Sequence, residues 1–316
     1  MLDKSKNQSK TQSSNQTEKQ QLCLGWFVKG LIVLLGLLPL RLSQGLGSLL
    51  GSLFYWIPNS NKRIAQINIQ QAYPNLSPQQ QKALLQANLK ETSKALIELG
   101  AFWRWRSDKL LRLVKEVHGQ DLLEQAIAQN KGVIFLAPHI GAWELIGSYL
   151  SAVYPSSFLY RPPNIPSIER FMVNARGRFG ATLAPTDSRG VRCLMKALKN
   201  KEVTAILPDQ DPGESGGVYA PFFDRPARTM TLVSKLLKKT GSPCLFVVMQ
   251  RLPKAKGYAL HFLQADESLA SKETKIATQA LNTGVEQCIS IAPEQYLWCY
   301  KRFRKPPEGI TDIYKN

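Results

Sequence analysis

The sequence predicts an α/β protein: a largely parallel, mixed sheet covered by helices, preceded by an apolar membrane-anchoring helix. Three observations carry this. From about residue 131, short apolar runs of strand length alternate with stretches of helix length, the pattern of a sheet with helices on both faces. Ahead of them, residues 60–107 keep a helical pattern, with Ser77-Pro78 as a capped start. Ahead of that, only Lys29 and Arg41 are charged between Leu22 and Ile57. A chain of 316 residues can bury one substantial core. The division is therefore a polar tail at 1–21, an anchoring segment at 22–58 and one domain at 59–316.

The tail is rich in Gln, Ser, Asn and Lys, too polar to pack, and is expected to be disordered. Leu22 to Leu40 approaches the roughly 20 apolar residues that a spanning helix needs, and Lys29 can snorkel to the headgroups. A second apolar stretch runs from Leu42 to Pro58. A secretory signal does not fit, because the polar tail is too long and no small-x-small cleavage site follows. A buried core hairpin and a membrane anchor both fit. We adopt the anchor, as one tilted span or as an interfacial helix followed by an amphipathic segment, with Trp26, Tyr55 and Trp56 at interfacial depth.

Within the domain, strands are predicted at 133–137, 157–160, 182–184, 203–207, 244–250 and 258–264. Helices are predicted at 142–151, 167–178, 189–199, 230–240 and 272–291. Residues 208–228 read as a long loop, and the segment around His118 as a connection. Functional sites of such sheets lie at the carboxyl ends of the strands. His139, Arg161 and Asp209 each follow a predicted strand, so they are expected to converge.

Composition narrows the partners. With 41 basic and 23 acidic side chains the formal charge is +18, which favours nucleic acid, acidic lipid headgroups or an acidic carrier protein. The basic residues are dispersed and no nucleic-acid module is present, so nucleic acid is set aside. The five cysteines are odd in number, scattered and without CxxC spacing. They read as reduced packing residues of a domain facing the cytoplasm, with no metal site.

The chemistry concentrates in Gly132-Val-Ile-Phe-Leu-Ala-Pro-His139-Ile-Gly-Ala-Trp-Glu144. A strand runs into a Pro-His corner and a helix follows. Two residues five apart inside one helix would point about 140° away from each other, so His139 must precede the helix and Glu144 lie in its first or second turn. Glu144 is then expected to accept from one imidazole nitrogen, fix the tautomer and leave the other nitrogen to take a hydroxyl proton. No nucleophilic Ser or Cys precedes the pair, so direct attack by an alcohol on an acyl donor is the simplest scheme. By spacing alone, a buried histidine capping a helix is the better fit.

The context resembles a known family. The His-X4-Glu stretch is similar to the His-X4-Asp/Glu motif of glycerolipid acyltransferases, and more narrowly of the late (lauroyl/myristoyl) acyltransferases of lipid A biosynthesis. The resemblance covers nearly everything after residue 22. It rests on Arg63-Ile-Ala-Gln-Ile-Asn68, Tyr73-Pro-Asn, the His139 block, Tyr160-Arg-Pro162 and Leu207-Pro-Asp-Gln-Asp-Pro-Gly213. Ala220-Pro-Phe-Phe223, Pro226-Ala-Arg-Thr229, Glu294-Gln-Tyr-Leu-Trp298 and Arg302-Phe-Arg-Lys-Pro306 complete it. It implies a glycerolipid-acyltransferase-like fold on the cytoplasmic side of a bacterial inner membrane. It also implies acyl transfer from acyl-acyl carrier protein to a hydroxyl of a lipid A precursor, with no metal or other cofactor. Carrier protein, anionic glycolipid and membrane are the implied partners; lysophosphatidic acid is the alternative acceptor.

Four further residues are candidates for substrate binding. Arg161, held by Pro162-Pro163, has the planar guanidinium suited to a phosphate or sugar. Asp209 and Asp211 are turn formers by composition, and the resemblance implies a role in positioning the donor or sugar. Arg176, with Arg178, faces either phosphate or solvent. His118 and His261 read as structural. Glu98, an acid in the apolar run Leu96-Ile-Glu-Leu-Gly100, is noted as a partner for some basic group.

Overall fold

The computed structural model describes residues 23–163 and 165–315; the tail expected at 1–21 lies outside them. In chain order the first elements are α1 (residues 23–35), α2 (Leu40–Trp56), α3 (Ser60–Ala72), α4 (Pro78–Phe102) and α5 (Ser107–Leu111). Next come β1 (Val114–His118), α6 (Gln120–Ala128), β2 (Val133–Leu136), α7 (Trp143–Val153), β3 (Ser157–Tyr160), α8 (Pro166–Gly177), β4 (Thr182–Pro185) and α9 (Ser188–Lys199). The chain continues through β5 (Val203–Ile206), β6 (Gly217–Phe222), β7 (Arg225–Met230), α10 (Leu232–Thr240), β8 (Cys244–Arg251), β9 (Tyr258–Gln264) and α11 (Thr274–Ile291).

The central sheet has the order β1-β9-β8-β2-β5. Only β8 and β9 run antiparallel; the other neighbours are parallel. The parallel pair β3-β4 continues the sheet beyond β5 through a bridge between Ser156 and Val203. The expected mixed, largely parallel sheet is therefore present. All four residues of β2 are buried. They alternate between two cores: Ile134 and Leu136 join one face, Val133 and Phe135 the other. Such a run, apolar at every position, is what a central strand covered on both sides requires.

Two strand regions were not legible in the sequence. β6 and β7 form a hairpin inside the expected loop at 208–228. Its turn is Phe223-Asp224, both at positive φ, without the Asn-Gly signature of such turns. Pro221 and Pro226 face each other across it, and proline within a run argues against a strand. β1 is a short edge strand with mostly exposed residues, lying in register beside β9 so that His118 and His261 stack at 4.5 Å.

The apolar N-terminal region does not form the tilted span that was one of its two expected arrangements. It forms two helices separated at 36–39, with Pro39 before α2. Among the described residues no helix is long and apolar enough to cross a membrane. α2 has its polarity inverted. Ser43, Gln44, Gly47 and Gly51 are buried, while Leu42, Leu49, Leu53, Phe54 and Trp56 are exposed. The reason is close packing on α4. A Cβ added to Gly47 or Gly51 would lie 2.6 or 2.4 Å from the Cα of Lys94 or Lys90, so the two backbones touch where only glycine fits.

Gln44 reaches through this contact to a buried ion pair. Glu98 of α4 is fully buried. It accepts from Gln44 Nε2 at 2.7 Å, Tyr258 Oη at 2.9 Å and Arg251 Nε at 2.9 and 3.0 Å. Arg251, also buried, pairs with Glu91 at 2.9 Å as well. Removing one member strands a buried charge, which costs about 3–5 kcal/mol. Arg251→Met is therefore expected to lower unfolding stability by that amount in urea titrations. Adding Glu98→Leu should restore part of it, and a nearly neutral single variant would contradict this account.

Candidate active site

The site begins with a register. Leu136 of β2 lies opposite Ile206 of β5 in a parallel pair. His139 and Asp209 follow these residues at equal distances along the chain, so they emerge side by side at the carboxyl end of the sheet. Asp209 is buried. Its Oδ1 lies 2.8 Å from His139 Nδ1, and its Oδ2 accepts the His139 backbone N–H at 3.1 Å. A carboxylate can only accept, so the ring proton sits on Nδ1 and Nε2 presents its lone pair. The Gln210 amide lies 3.3 Å from that nitrogen, and the Trp143 ring flanks the imidazole at 5.4 Å. Burial pushes the Asp209 carboxyl up, but the His139 ring and N–H outweigh it and hold it below the usual range.

The corner itself is locked. Gly141 has φ +60, and a Cβ there would fall 2.1 Å from the Met249 carbonyl. Gly141 N–H donates to Gln295 O at 3.0 Å, Ala142 N–H to Met249 O at 2.8 Å, and Leu297 N–H to His139 O at 3.0 Å. Arg251 Nη2 donates to Gly141 O at 3.0 Å, which ties the Glu98 pair to the corner. The Gln295 side chain accepts from Arg251 N–H at 2.8 Å.

Glu144 does not make the expected bond to His139. It is the second residue of α7, and from there its side chain turns towards α4 and α8. It accepts from Trp103 Nε1 at 3.2 Å, from Arg176 Nε at 3.1 Å and from Arg176 Nη2. Burial opposes its ionisation, but Arg176, Trp103 and the nearby His139 hold the carboxyl below its usual value. The neighbour strand, not the following helix, thus supplies the carboxylate on Nδ1. Residue spacing within one segment could not reveal this; the β2–β5 pairing does.

The remaining candidates separate. Arg176 joins the cluster through Glu144. Arg161 is exposed just after β3 and makes no hydrogen bond or ion pair among the described residues. Asp211 faces away from His139. It accepts from Gly213 N–H and Arg304 Nε, both at 2.8 Å, and its N–H donates to Tyr300 Oη at 2.9 Å. This closes the 208–213 turn against the C-terminal segment. Trp103, Gln210 and Arg251 were not legible as site residues; an arginine ending an apolar strand was the one available signal. Among the described residues no three His, Cys, Asp or Glu side chains cluster closely enough to hold a metal.

Asp209 and Glu144 are both depressed, so in the acid range the folded chain binds fewer protons than the unfolded one. Their contribution to stability is present above the ordinary carboxylate value near pH 4 and is lost as pH falls through the folded-state values. Urea midpoints taken across this range should fall steeply towards acid, and less steeply in Asp209→Asn. Equal slopes would refute the assignment.

The sequence profile of bacterial lipid A biosynthesis acyltransferases matches residues 10–305. A lipid A biosynthesis palmitoleoyltransferase of Escherichia coli (strain K12) is 31% identical over 92% of this chain and 94% of its own length. A lauroyltransferase of the same organism is 29% identical over the same shares. A myristoyltransferase from that strain is 22% identical over 81% of this chain and 79% of its own. With the profile spanning fold and corner alike, the chain belongs to the late acyltransferase family of bacterial lipid A biosynthesis.

Proposed function

We propose that this acyltransferase moves a fatty acyl chain from acyl-acyl carrier protein to a hydroxyl of a lipid A precursor, working at a membrane surface with His139 as general base. The observation that carries the reading is the Asp209–His139 contact at 2.8 Å, which leaves Nε2 to accept a proton. The acceptor hydroxyl displaces the Gln210 amide and attacks the thioester carbonyl as its proton passes to Nε2. The tetrahedral intermediate then collapses. The C–S bond breaks, and the leaving sulfur takes the proton back from the imidazolium. Asp209 orients the ring and stabilises its charged form, and Glu144, kept ionised by Arg176, adds negative charge nearby. Burial pushes the thiols of Cys244, Cys288 and Cys299 up, away from the reactive thiolate, so none of these three is offered as a nucleophile.

Membrane attachment is proposed through α1 and α2. Leu24, Trp26, Phe27, Leu31 and Leu34 of α1 are exposed beside the outward leucines of α2. An apolar surface of this kind on helices too short to cross fits insertion at interfacial depth. The acidic carrier protein and anionic glycolipid suit the +18 charge. The described cysteines are all free, which agrees with a catalytic domain on the cytoplasmic side of the inner membrane.

Two tests bear on this reading. Purified protein is given acyl-acyl carrier protein with the glycolipid precursor or lysophosphatidic acid, and products are read by mass spectrometry. One added chain on the glycolipid is expected, with kcat reduced about 100-fold or more in His139→Ala and Asp209→Asn. Preference for lysophosphatidic acid, or a fully active His139→Ala, would overturn it. In flotation with neutral vesicles, Leu49→Ser with Leu53→Ser should release protein from lipid. Unchanged flotation would remove α2 from the interface.

A further inference from the structure

We propose that Arg104 and Arg178 form a docking site for a phosphate group of the lipid acceptor, on the rim between the apolar helices and the His139 corner. This rests on the acceptor class proposed above. The two arginines come from different elements, the turn after α4 and the end of α8. Arg178 Nη2 donates to the Phe102 carbonyl at 2.7 Å, which pins its guanidinium beside the turn that carries Arg104. Its Nε is buried and has no partner. On the other side, the Arg104 chain lies against the α1–α2 connection: a Cβ on Gly36 would fall 2.5 Å from Arg104 Cδ.

Arg176, Arg228, Arg251 and Arg304 each have a carboxylate neighbour. Among the described residues, Arg104 and Arg178 have none. Burial, and then the neighbouring Arg104, lower Arg178 to about 10. Two like charges held together without a counterion repel, and an anion between them relieves that repulsion. A phosphate, with several acceptor oxygens, matches two guanidinium forks.

The location selects a lipid-borne phosphate. Trp103, adjacent to Arg104, donates to Glu144, and Arg176, just before Arg178, grips the same carboxylate. In the other direction lie exposed Leu34 and Leu37. Apolar surface, cation pair and reacting corner therefore follow one another. A lipid whose chains rest along α1 would hold its headgroup at the arginines, with a hydroxyl beyond it towards His139.

The test uses full-length protein and three lipid arms: neutral vesicles carrying the phosphorylated glycolipid acceptor, the same acceptor with its phosphates removed, and phosphatidylglycerol vesicles without acceptor. Arg104→Gln and the Arg104→Gln/Arg178→Gln pair are compared with Arg178→Lys, whose folding is checked by thermal unfolding. The double variant should raise KM for the phosphorylated acceptor about tenfold or more with kcat little changed, and leave KM for the phosphate-free acceptor unaltered. Arg104→Gln, on an exposed side chain, should show a smaller effect of the same kind, and Arg178→Lys should retain most of the affinity. Equal losses on both acceptors would overturn the proposal. So would a loss on phosphatidylglycerol vesicles as large as that on the acceptor, because the pair would then read any anionic headgroup. Binding is repeated in His139→Ala, so that acceptor recognition is read separately from acyl transfer.

Discussion

The arrangement at the sheet's edge depends on one ion pair, Glu98 with Arg251. Both are removed from water, so neither tolerates loss of the other. Their geometry also does more than neutralise charge. Glu98 gathers Gln44 from α2, Tyr258 from β9 and Arg251 from β8. Arg251 passes the constraint to the Gly141 carbonyl and, with Gln295, to the segment that pairs with His139. The imidazole is thus held by a frame assembled from four distant parts of the chain. Preorganisation of this kind keeps a base within reach of its proton without reorganising during reaction.

A second polar frame supports the C-terminal segment. Asn68 Nδ2 donates to the carbonyls of Trp298 and Tyr300, and Asn88 Nδ2 to those of Glu294 and Tyr296. Arg302 is buried against the Arg228 carbonyl, Thr229 and Asn282. These bonds satisfy backbone groups of an irregular segment that has no sheet or helix to satisfy them. They also explain why Arg302 and Asn68 sit inside the protein despite their polarity.

Much of the fold was legible because central strands such as β2 are apolar at every position and α4 begins at a recognisable cap. Ser157–Tyr160 and Tyr258–Gln264 match their expected limits. β6 and β7 escaped because prolines and an atypical turn mask the strand pattern, and β1 because an exposed edge strand lacks alternation. At the site, His139 and Asp209 were legible as residues expected to converge, but the bond between them was not. The pairing is set by which strand lies beside β2, a tertiary fact with no local trace. Glu144 was legible as a partner but assigned the wrong bond, since helix direction alone does not say what stands across from it. The apolar character of α2 was legible in composition; its inverted orientation was not, because that comes from glycines that permit backbone contact with α4.

The inverted α2 carries an energetic consequence. In an ordinary surface helix the buried face is apolar, and burial in water drives docking. Here the docked face is Leu40, Ser43, Gln44, Gly47 and Gly51, in which only Leu40 is a large apolar side chain. Backbone contact and the Gln44–Glu98 bond hold it instead, while the large side chains remain in solvent. Its docking therefore depends on backbone contact and one buried hydrogen bond rather than on burial of its large apolar side chains. Under the proposed attachment, a lipid surface that absorbs the outward leucines would bind the docked form and raise its population by mass action. Because Gln44 bonds to Glu98, the bilayer would then act as a thermodynamic ligand of the same frame that fixes the imidazole. Native-state order at the corner would become a function of lipid.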